Sequence, residues 1–285
     1  MTVEYPIFVP FHGEHLAAVV TATDAAPRGL AVLLQGLGAP RSHKHRLWTR
    51  SARGLAERGI ASVRLDWPEL GDSTGSFPGD LNAPPIAEAL AVASIAVEAL
   101  GVDSVGIVGN CLGAKTGLNM ALQMDGCVSV GCILPGDPKN VLRGDGRTAP
   151  HRAARRLSKK APKLGTIGRR MLRSHKIKPR IRFLPEVEQA MRRADLMLLF
   201  LGKEEAAGRV RGGLATLTDE IGPTGHRAEV RYVKTGNSTG MRLAIAEQQG
   251  VVDSVVAWFD ETMPGSAPSI VEPASLDGRA IASRP

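Results

Sequence analysis

The sequence predicts an α/β fold built on a mostly parallel, doubly wound sheet. Strand-like and helix-like runs alternate along most of its 285 residues, a pattern typical of βα units around a parallel sheet. Apolar residues make up 43% of the chain and aromatic residues only 4%. Small aliphatic side chains therefore fill the core, as suits strands covered by helices on both faces. We expect the ligand site beyond the carboxyl ends of the strands.

The order of the elements follows from hydrophobic spacing. The N-terminal run MTVEYPIFVPFHGEH is predicted to be the first strand. The later strands are predicted over 15–22, 29–35, 60–66, 104–109, 127–134, 195–201 and 228–233. Apolar residues at helical spacing predict helices over 45–58, 86–100, 112–124 and 244–261.

Two regions interrupt this alternation and define the predicted domains. Residues 138–193 contain no strand-like run, so they are predicted to form a basic helical cap between the two halves of the core, 1–137 and 194–262. The net charge of +8 is concentrated there, because thirteen Lys or Arg and no Asp or Glu lie between His151 and Arg182. Residues 263–285 are rich in Pro, Ser and Ala, and predict a disordered tail.

The composition also bears on the setting of the protein. No apolar stretch approaches the ~20 residues needed to span a bilayer, and the N-terminus lacks the features of a signal peptide. The three cysteines, Cys111, Cys127 and Cys132, lack metal-ligand spacing and are odd in number, which argues against a disulfide framework or a zinc site. We therefore expect a cytoplasmic protein with no membrane segment, metal or other cofactor.

Residues 109–113 carry the strongest chemical signal. They read Gly-Asn-Cys-Leu-Gly and stand between a predicted strand and a predicted helix, the context of a G-x-S-x-G nucleophile elbow with Cys111 in place of serine. The glycines allow strand and helix to approach closely, and the helix N-terminus favours a thiolate and an oxyanion. Cys111 is the predicted nucleophile; the alternative is a buried cysteine in an ordinary tight βα turn.

Two further motifs accompany the elbow: Gln35-Gly36-Leu37-Gly38 after the third strand, and LAERGIASVRLDWPELGDSTG over 55–75. Together the three motifs resemble the α/β-hydrolase family over roughly residues 5–262. The similarity is greatest to its cysteine-nucleophile branch, the thioesterase- and esterase-like hydrolases of biosynthetic clusters. The resemblance implies an α/β-hydrolase fold with an oxyanion hole formed by the backbone N–H groups of Leu37 and Leu112.

The sequence departs from the family's pattern at several of these positions. Gln35 replaces the usual histidine, which matters little because the donor is the backbone. Glu69 and Leu70 replace the usual small or polar residues, whereas Gly71-Asp72-Ser73 is retained.

The family also uses an acid and a histidine. Glu205, which follows the strand 195–201, aligns best with the acid, and Asp137, after the strand 127–134, is a second location used by some relatives. The alternative for both residues is an ordinary loop carboxylate that is exposed to solvent. The expected histidine is missing: relatives often carry Asp-His-Thr where this chain has Asn237-Ser238-Thr239. No histidine follows His226, which precedes the last strand and should lie at the opposite edge of the sheet.

Three interpretations of the missing base stay open. In the first, the base is supplied from elsewhere: His43 and His45 lie in the loop after the third strand, unless they are simply exposed, and the cap holds His151 and His175. Ser238 is then either part of a relay or a filler. Alternatively, Cys111 reacts without a local base, which suits thioesters because a thiol leaving group needs no protonation. General-base assistance contributes about 10²–10⁴ in rate, so its loss favours acyl transfer or cyclisation over hydrolysis. Finally, the chain is a catalytically inactive relative.

The basic segment bears on partners. A run of Lys and Arg is compatible with nucleic-acid binding, but no aromatic side chain precedes Phe183 in the segment to stack on bases. A solvated helical face is one alternative. The other is an entrance that attracts an acidic acyl donor, either coenzyme A or an acidic acyl carrier protein.

The sequence therefore predicts an acyl-transfer enzyme of the thioesterase, acyltransferase or cyclase type, with Cys111 attacking a thioester or activated ester. The competing hypothesis is a catalytically impaired hydrolase-fold protein that binds an acyl ligand or a protein partner.

Overall fold

The protein forms one mixed sheet covered by helices on both faces. A computed structural model describes residues 1–77, 83–135, 182–236 and 243–265. The strands are β1 (Thr2–Phe11), β2 (Glu14–Thr23), β3 (Leu30–Leu34), β4 (Ala61–Leu65), β5 (Val105–Asn110), β6 (Cys127–Pro135), β7 (Asp195–Gly202) and β8 (Ala228–Lys234). The helices are α1 (Leu47–Ala56), α2 (Ile86–Leu100), α3 (Leu112–Ala121), α4 (Pro185–Met191), α5 (Glu204–Ile221) and α6 (Ile245–Thr262), and a 3₁₀ turn, Lys44–Arg46, precedes α1.

The strand order places the elbow motif in the middle of the sheet. The eight strands follow the order β1-β2-β4-β3-β5-β6-β7-β8. β2 pairs antiparallel with both β1 and β4, and the pairs from β4 to β8 are parallel. The chain reverses its direction of travel across the sheet between β3 and β5, and ligand sites of open α/β sheets lie at such a switch point. Cys111 follows β5, and the Gly36-Leu37 turn follows β3.

Apolar side chains cover both faces of the sheet in two clusters. Ile107 points into one cluster, where α2, α3, α4 and α5 contribute buried residues. Its neighbour Val108 points into the other, to which α1 and α6 contribute Trp48 and Trp258. Because both faces are buried, the central strands are apolar throughout, as the sequence pattern indicated.

The predicted fold class and all the predicted elements are confirmed, with bounds that differ by a few residues. Two helices were not predicted. α5 directly follows β7, and α4 lies inside the range assigned to the cap. Val187 and Ala190 of α4 are fully buried in the cluster that contains α3 and β7, so this end of the predicted cap belongs to the core. Residues 138–181 of the cap and 266–285 of the tail lie outside the described residues.

None of the helices in the described ranges is long and apolar enough to cross a membrane.

Thr21 on β2 allows a test of the packing. Its Oγ1 is buried with no hydrogen-bond partner among the described residues, and an unsatisfied buried hydroxyl costs about 1–3 kcal/mol. We expect Thr21→Val, which keeps the shape, to raise the free energy of unfolding by about 1 kcal/mol in urea titrations. The control is Thr116→Val, since Thr116 Oγ1 donates to Leu112 O at 3.0 Å and its loss should bring no gain. Equal destabilisation by both substitutions would mean that Thr21 Oγ1 is hydrogen-bonded after all.

Candidate active site

Cys111 occupies a strained turn between β5 and α3. Its backbone has φ 53° and ψ −119°, a conformation that L-residues rarely adopt and that costs about 1–3 kcal/mol. The residue is exposed, and no hydrogen bond of its thiol occurs among the described residues. Such strain clusters at active sites, so the geometry supports a nucleophile elbow over a buried structural cysteine.

The two glycines of the motif are required by close contacts between backbones. A Cβ on Gly109 would lie 2.7 Å from Ala114 N and overlap the carbonyl group of Gly113. A Cβ on Gly113 would lie 2.7 Å from Gln35 O and overlap Leu34 O. The first turn of α3 therefore packs directly against the ends of β3 and β5, as the spacing of the glycines predicted.

The turn after β3 lies beside the nucleophile. A Cβ on Gly36 would be only 3.0 Å from Cys111 Cβ, so this glycine separates the turn from the thiol. Neither Leu37 N–H nor Leu112 N–H donates a hydrogen bond within the described part of the chain. Gly36, which precedes Leu37, therefore lies beside Cys111, which precedes Leu112, and the oxyanion role of the two N–H groups stays a prediction.

Gln35 anchors this turn to β4. Its side chain is fully buried, and Nε2 donates to Leu65 O at 2.5 Å. Its backbone carbonyl accepts a hydrogen bond from Trp67 Nε1 at 3.2 Å. Gln35, which replaces the family's histidine, therefore holds this turn in place. The predicted oxyanion donor is the backbone N–H of Leu37 and not the Gln35 side chain.

Asp66 joins the loops after β3 and β4, a role that the sequence analysis missed. Its buried carboxylate accepts the backbone N–H of Arg41 at 2.7 Å and that of Asp72 at 3.2 Å, and also pairs with the Arg41 guanidinium. A Cβ on Gly71 would overlap this carboxylate. The signal was present in the retained Gly71-Asp72-Ser73 motif, but only the fold shows that the partner of the motif is Asp66.

The two candidate base histidines do not meet Cys111. His43 is buried, and its ring packs edge-on against Trp48 with the centroids 5.7 Å apart. Its Nδ1 lies 3.4 Å from Lys44 O, and burial lowers the pKa of its imidazole to about 4. His45 is exposed to solvent. No hydrogen bond joins either ring to the thiol within the described residues, so the base role has no geometric support here.

The other predicted site residues fall into two groups. Glu205 lies in the first turn of α5 with its side chain 88% exposed, and pairs with Arg209 at 2.9 Å in a helix-surface ion pair. It contacts no histidine among the described residues. Asp137 and Ser238 lie outside the described residues, so their roles stay predictions.

His226 lies far from the elbow, as predicted. Its Nδ1 is 3.8 Å from Asp195 Oδ1, and Asp195 begins β7, whereas Cys111 follows the end of β5. The two positions are therefore at opposite edges of a parallel sheet. Within the described ranges, no group of three or more His, Cys, Asp or Glu side chains is arranged to hold a metal ion.

Comparison with known proteins agrees with this geometry. The family model of the α/β hydrolase fold matches residues 31–162, a range that contains both the Gly36-Leu37 turn and the elbow. Among curated proteins, no sequence matches the chain.

Solved structures with a similar fold include three that cover nearly the whole chain. An esterase from Pyrococcus furiosus has 12% identity over 92% of both chains and a TM-score of 0.57. A predicted CIB-like hydrolase from Thermoplasma acidophilum has 14% identity over 92% of this chain and 100% of its own, with a TM-score of 0.53. The thioesterase domain from the curacin biosynthetic pathway has 14% identity over 89% and 99%, with a TM-score of 0.50.

The strand order, the elbow and these matches define an α/β-hydrolase fold with an eight-stranded, mostly parallel sheet. By sequence, residues 31–162 are similar to the α/β-hydrolase family.

The buried imidazole of His43 predicts a pH dependence of stability. Burial lowers its pKa from 6.5 to about 4, so below pH 6.5 the unfolded chain binds a proton that the folded chain does not. The free energy of unfolding should therefore fall as the pH drops from about 6.5 towards 4, by at most about 1.4 kcal/mol per pH unit from this group. Urea titrations across this range would measure the slope.

The control for this slope is His43→Gly, because the backbone at this position has φ 60° and ψ 170°, a region that glycine adopts without strain. This variant should show a shallower loss of stability on acidification than the wild type. Identical slopes would mean that His43 is protonated equally in the folded and unfolded states.

Proposed function

We propose that the protein is an acyl-transfer enzyme of the thioesterase, acyltransferase or cyclase type, with Cys111 as the nucleophile. One observation carries the proposal: the exposed Cys111 thiol stands on a strained turn at φ 53°, and the backbone N–H groups of Leu37 and Leu112 have no hydrogen-bond partner among the described residues. A cysteine with only a packing role needs neither the strain nor the free donors.

The arrangement suits attack on a thioester or an activated ester. The Cys111 thiolate forms a bond to the acyl carbon, and the carbonyl electron pair moves to oxygen, where the N–H groups of Leu37 and Leu112 stabilise the negative charge. Collapse of this intermediate restores the carbonyl and expels the thiolate or alkoxide of the donor. The acyl group is then bound to Cys111 Sγ until water or another nucleophile takes it.

The missing histidine favours transfer over hydrolysis. No histidine follows His226 in the sequence, and neither His43 nor His45 is hydrogen-bonded to the thiol. Activation of water by a general base contributes about 10²–10⁴ in rate, so without it water should deacylate the enzyme slowly. The expected acceptor is then a better nucleophile than water. It is an amine, a thiol, or a hydroxyl group of the acyl chain itself. Glu205, Asp137 and Ser238 are the proposed supporting groups.

The proposed donor is an acyl thioester on coenzyme A or on an acidic carrier protein. The fold likeness to a thioesterase domain and an esterase supports acyl chemistry, and the thirteen basic residues between His151 and Arg182 suit an acidic donor. The three cysteines are free, which supports the proposed cytoplasmic setting.

The direct test is the mass of the intact protein after incubation with a panel of acyl thioesters. The wild type should gain the mass of one acyl group, and Cys111→Ala should gain none. Decay of the adduct with and without added amines or thiols would then separate transfer from hydrolysis. If no donor modifies the wild type, or if Cys111→Ala is modified equally, the proposal fails.

A second candidate function is binding without catalysis. The observation in its favour is that no histidine contacts Cys111 in the described part of the chain. In this case the hydrolase fold would hold an acyl ligand or a protein partner, and the elbow would be a remnant of an ancestral enzyme.

Thiol reactivity separates the two candidates. Burial raises the pKa of Cys127 to about 11 and that of Cys132 to about 12, so iodoacetamide at pH 6.5 should modify neither. The enzyme hypothesis predicts that Cys111 alone is alkylated, and faster than glutathione, because its thiol is exposed and reacts at a helix N-terminus, where negative charge is favoured. Peptide mapping would identify the modified residue. A rate at or below that of glutathione would favour the binding protein.

A further inference from the structure

The side chain of Asn110 also lies at the turn beside Cys111. Asn110 is the last residue of β5 and only 3% exposed. Its Nδ2 lies 3.2 Å from the point that a Cβ on Gly36 would occupy, and Cys111 Cβ lies 3.0 Å from the same point. The Asn110 carboxamide and Cys111 therefore both lie next to Gly36, in the turn that carries Leu37. Because Gly36 has no side chain, a small space remains between the carboxamide and Cys111.

No hydrogen bond among the described residues explains the polarity of the Asn110 carboxamide. Its Oδ1 is fully buried without a hydrogen bond in the described part of the chain, and no bond of Nδ2 occurs among the described residues. Burying an unpaired amide costs free energy that an apolar residue of similar size, such as leucine, would not. Packing alone therefore does not account for asparagine at this position.

We propose that Asn110 is a third oxyanion donor, whose Nδ2–H group stabilises the tetrahedral intermediate formed at Cys111. The inference rests on the proposed acyl-transfer function and deepens it. As the thiolate adds to the acyl carbon, the carbonyl electron pair moves to oxygen, and Nδ2–H donates to that charge beside the backbone N–H groups of Leu37 and Leu112. No proton is transferred, and when the leaving thiolate departs the carbonyl reforms and the donors are released.

This role suits a site in which no histidine among the described residues is hydrogen-bonded to Cys111. Burial already holds the Asn110 side chain in place, so the donor need not reorganise during the reaction, and oxyanion donors shielded from water are worth far more than exposed ones. A thioester needs no general acid for its leaving group. Stabilisation of the oxyanion is then the main assistance that the protein gives to the acylation step.

The test compares two reactions of the same thiol in Asn110→Leu, which keeps the approximate volume and removes the donor. Acylation by the N-acetylcysteamine thioester of acetate passes through an oxyanion, whereas alkylation by iodoacetamide does not. We expect acylation to slow by about 10²-fold, the usual cost of losing one oxyanion donor. Alkylation should keep its rate, and the thermal unfolding midpoint should stay the same or rise.

The control is Asn119→Leu on α3, because Asn119 Nδ2 donates to Lys115 O at 2.9 Å and has no place in the site. It should acylate at the wild-type rate. If Asn110→Leu does not fold, Asn110→Ala is measured in the same way.

Two results would overturn the inference while the proposed function survives. One is an Asn110→Leu variant that is acylated as fast as the wild type. The other is an equal loss of acylation and alkylation, which would mean that Asn110 acts on the thiol or the fold. Failure of the wild type to be acylated is a different result, since it removes the proposed function and this inference with it.

Discussion

The close packing of the α3 N-terminus against the ends of β3 and β5 is the constraint on which the site depends. Gly113 lies so near the carbonyl oxygens of Leu34 and Gln35 that a single added carbon would overlap the backbone. This contact holds Cys111 at a positive φ, directs its thiol to solvent and sets Leu112 N–H opposite the turn that carries Leu37. A looser junction would separate the two donors.

A second set of contacts holds the loops that carry the oxyanion turn. Asp66, buried at the end of β4, binds the loop after β3 through Arg41 and the loop after β4 through the backbone N–H of Asp72. Gln35 adds a hydrogen bond to Leu65 on the same strand. These bonds satisfy buried polar groups that would otherwise destabilise the fold, and they also fix the backbone donor beside the nucleophile. Stability and preorganisation therefore have the same source.

The chemistry of the site is shaped by a group that is missing. In the family's usual arrangement a histidine after the last strand takes the proton of the nucleophile, and serine depends on that base. A thiol depends on it less, because a few per cent of it is already ionised at neutral pH. A cysteine at the elbow, with no hydrogen-bonded histidine among the described residues, is therefore consistent with the proposed thioester chemistry and much less so with the hydrolysis of amides.

The sheet, its alternation with helices and the location of the elbow could all be predicted from the amino-acid sequence. Local signals sufficed: apolar runs mark the buried strands, and the glycines of 109–113 mark a strand–turn–helix junction. The sequence did not reveal α4 as part of the core, because the basic run before it obscured the apolar spacing of Val187 and Ala190. It also did not indicate that His43 is buried against Trp48 instead of facing the thiol.

Which residues meet depends on how the strands pair. Asp66 and Arg41 are 25 residues apart in the sequence and Gly36 and Asn110 are further apart still, so no local pattern links them. The parallel pairing of β3 with β4 and β5 brings them together. The parallel pairing of β5 through β8 separates His226 from Cys111, since His226 precedes β8 and Cys111 follows β5. The residue types present, and so the available chemistry, are written in the sequence, but their proximity is set by the order in which the strands pair.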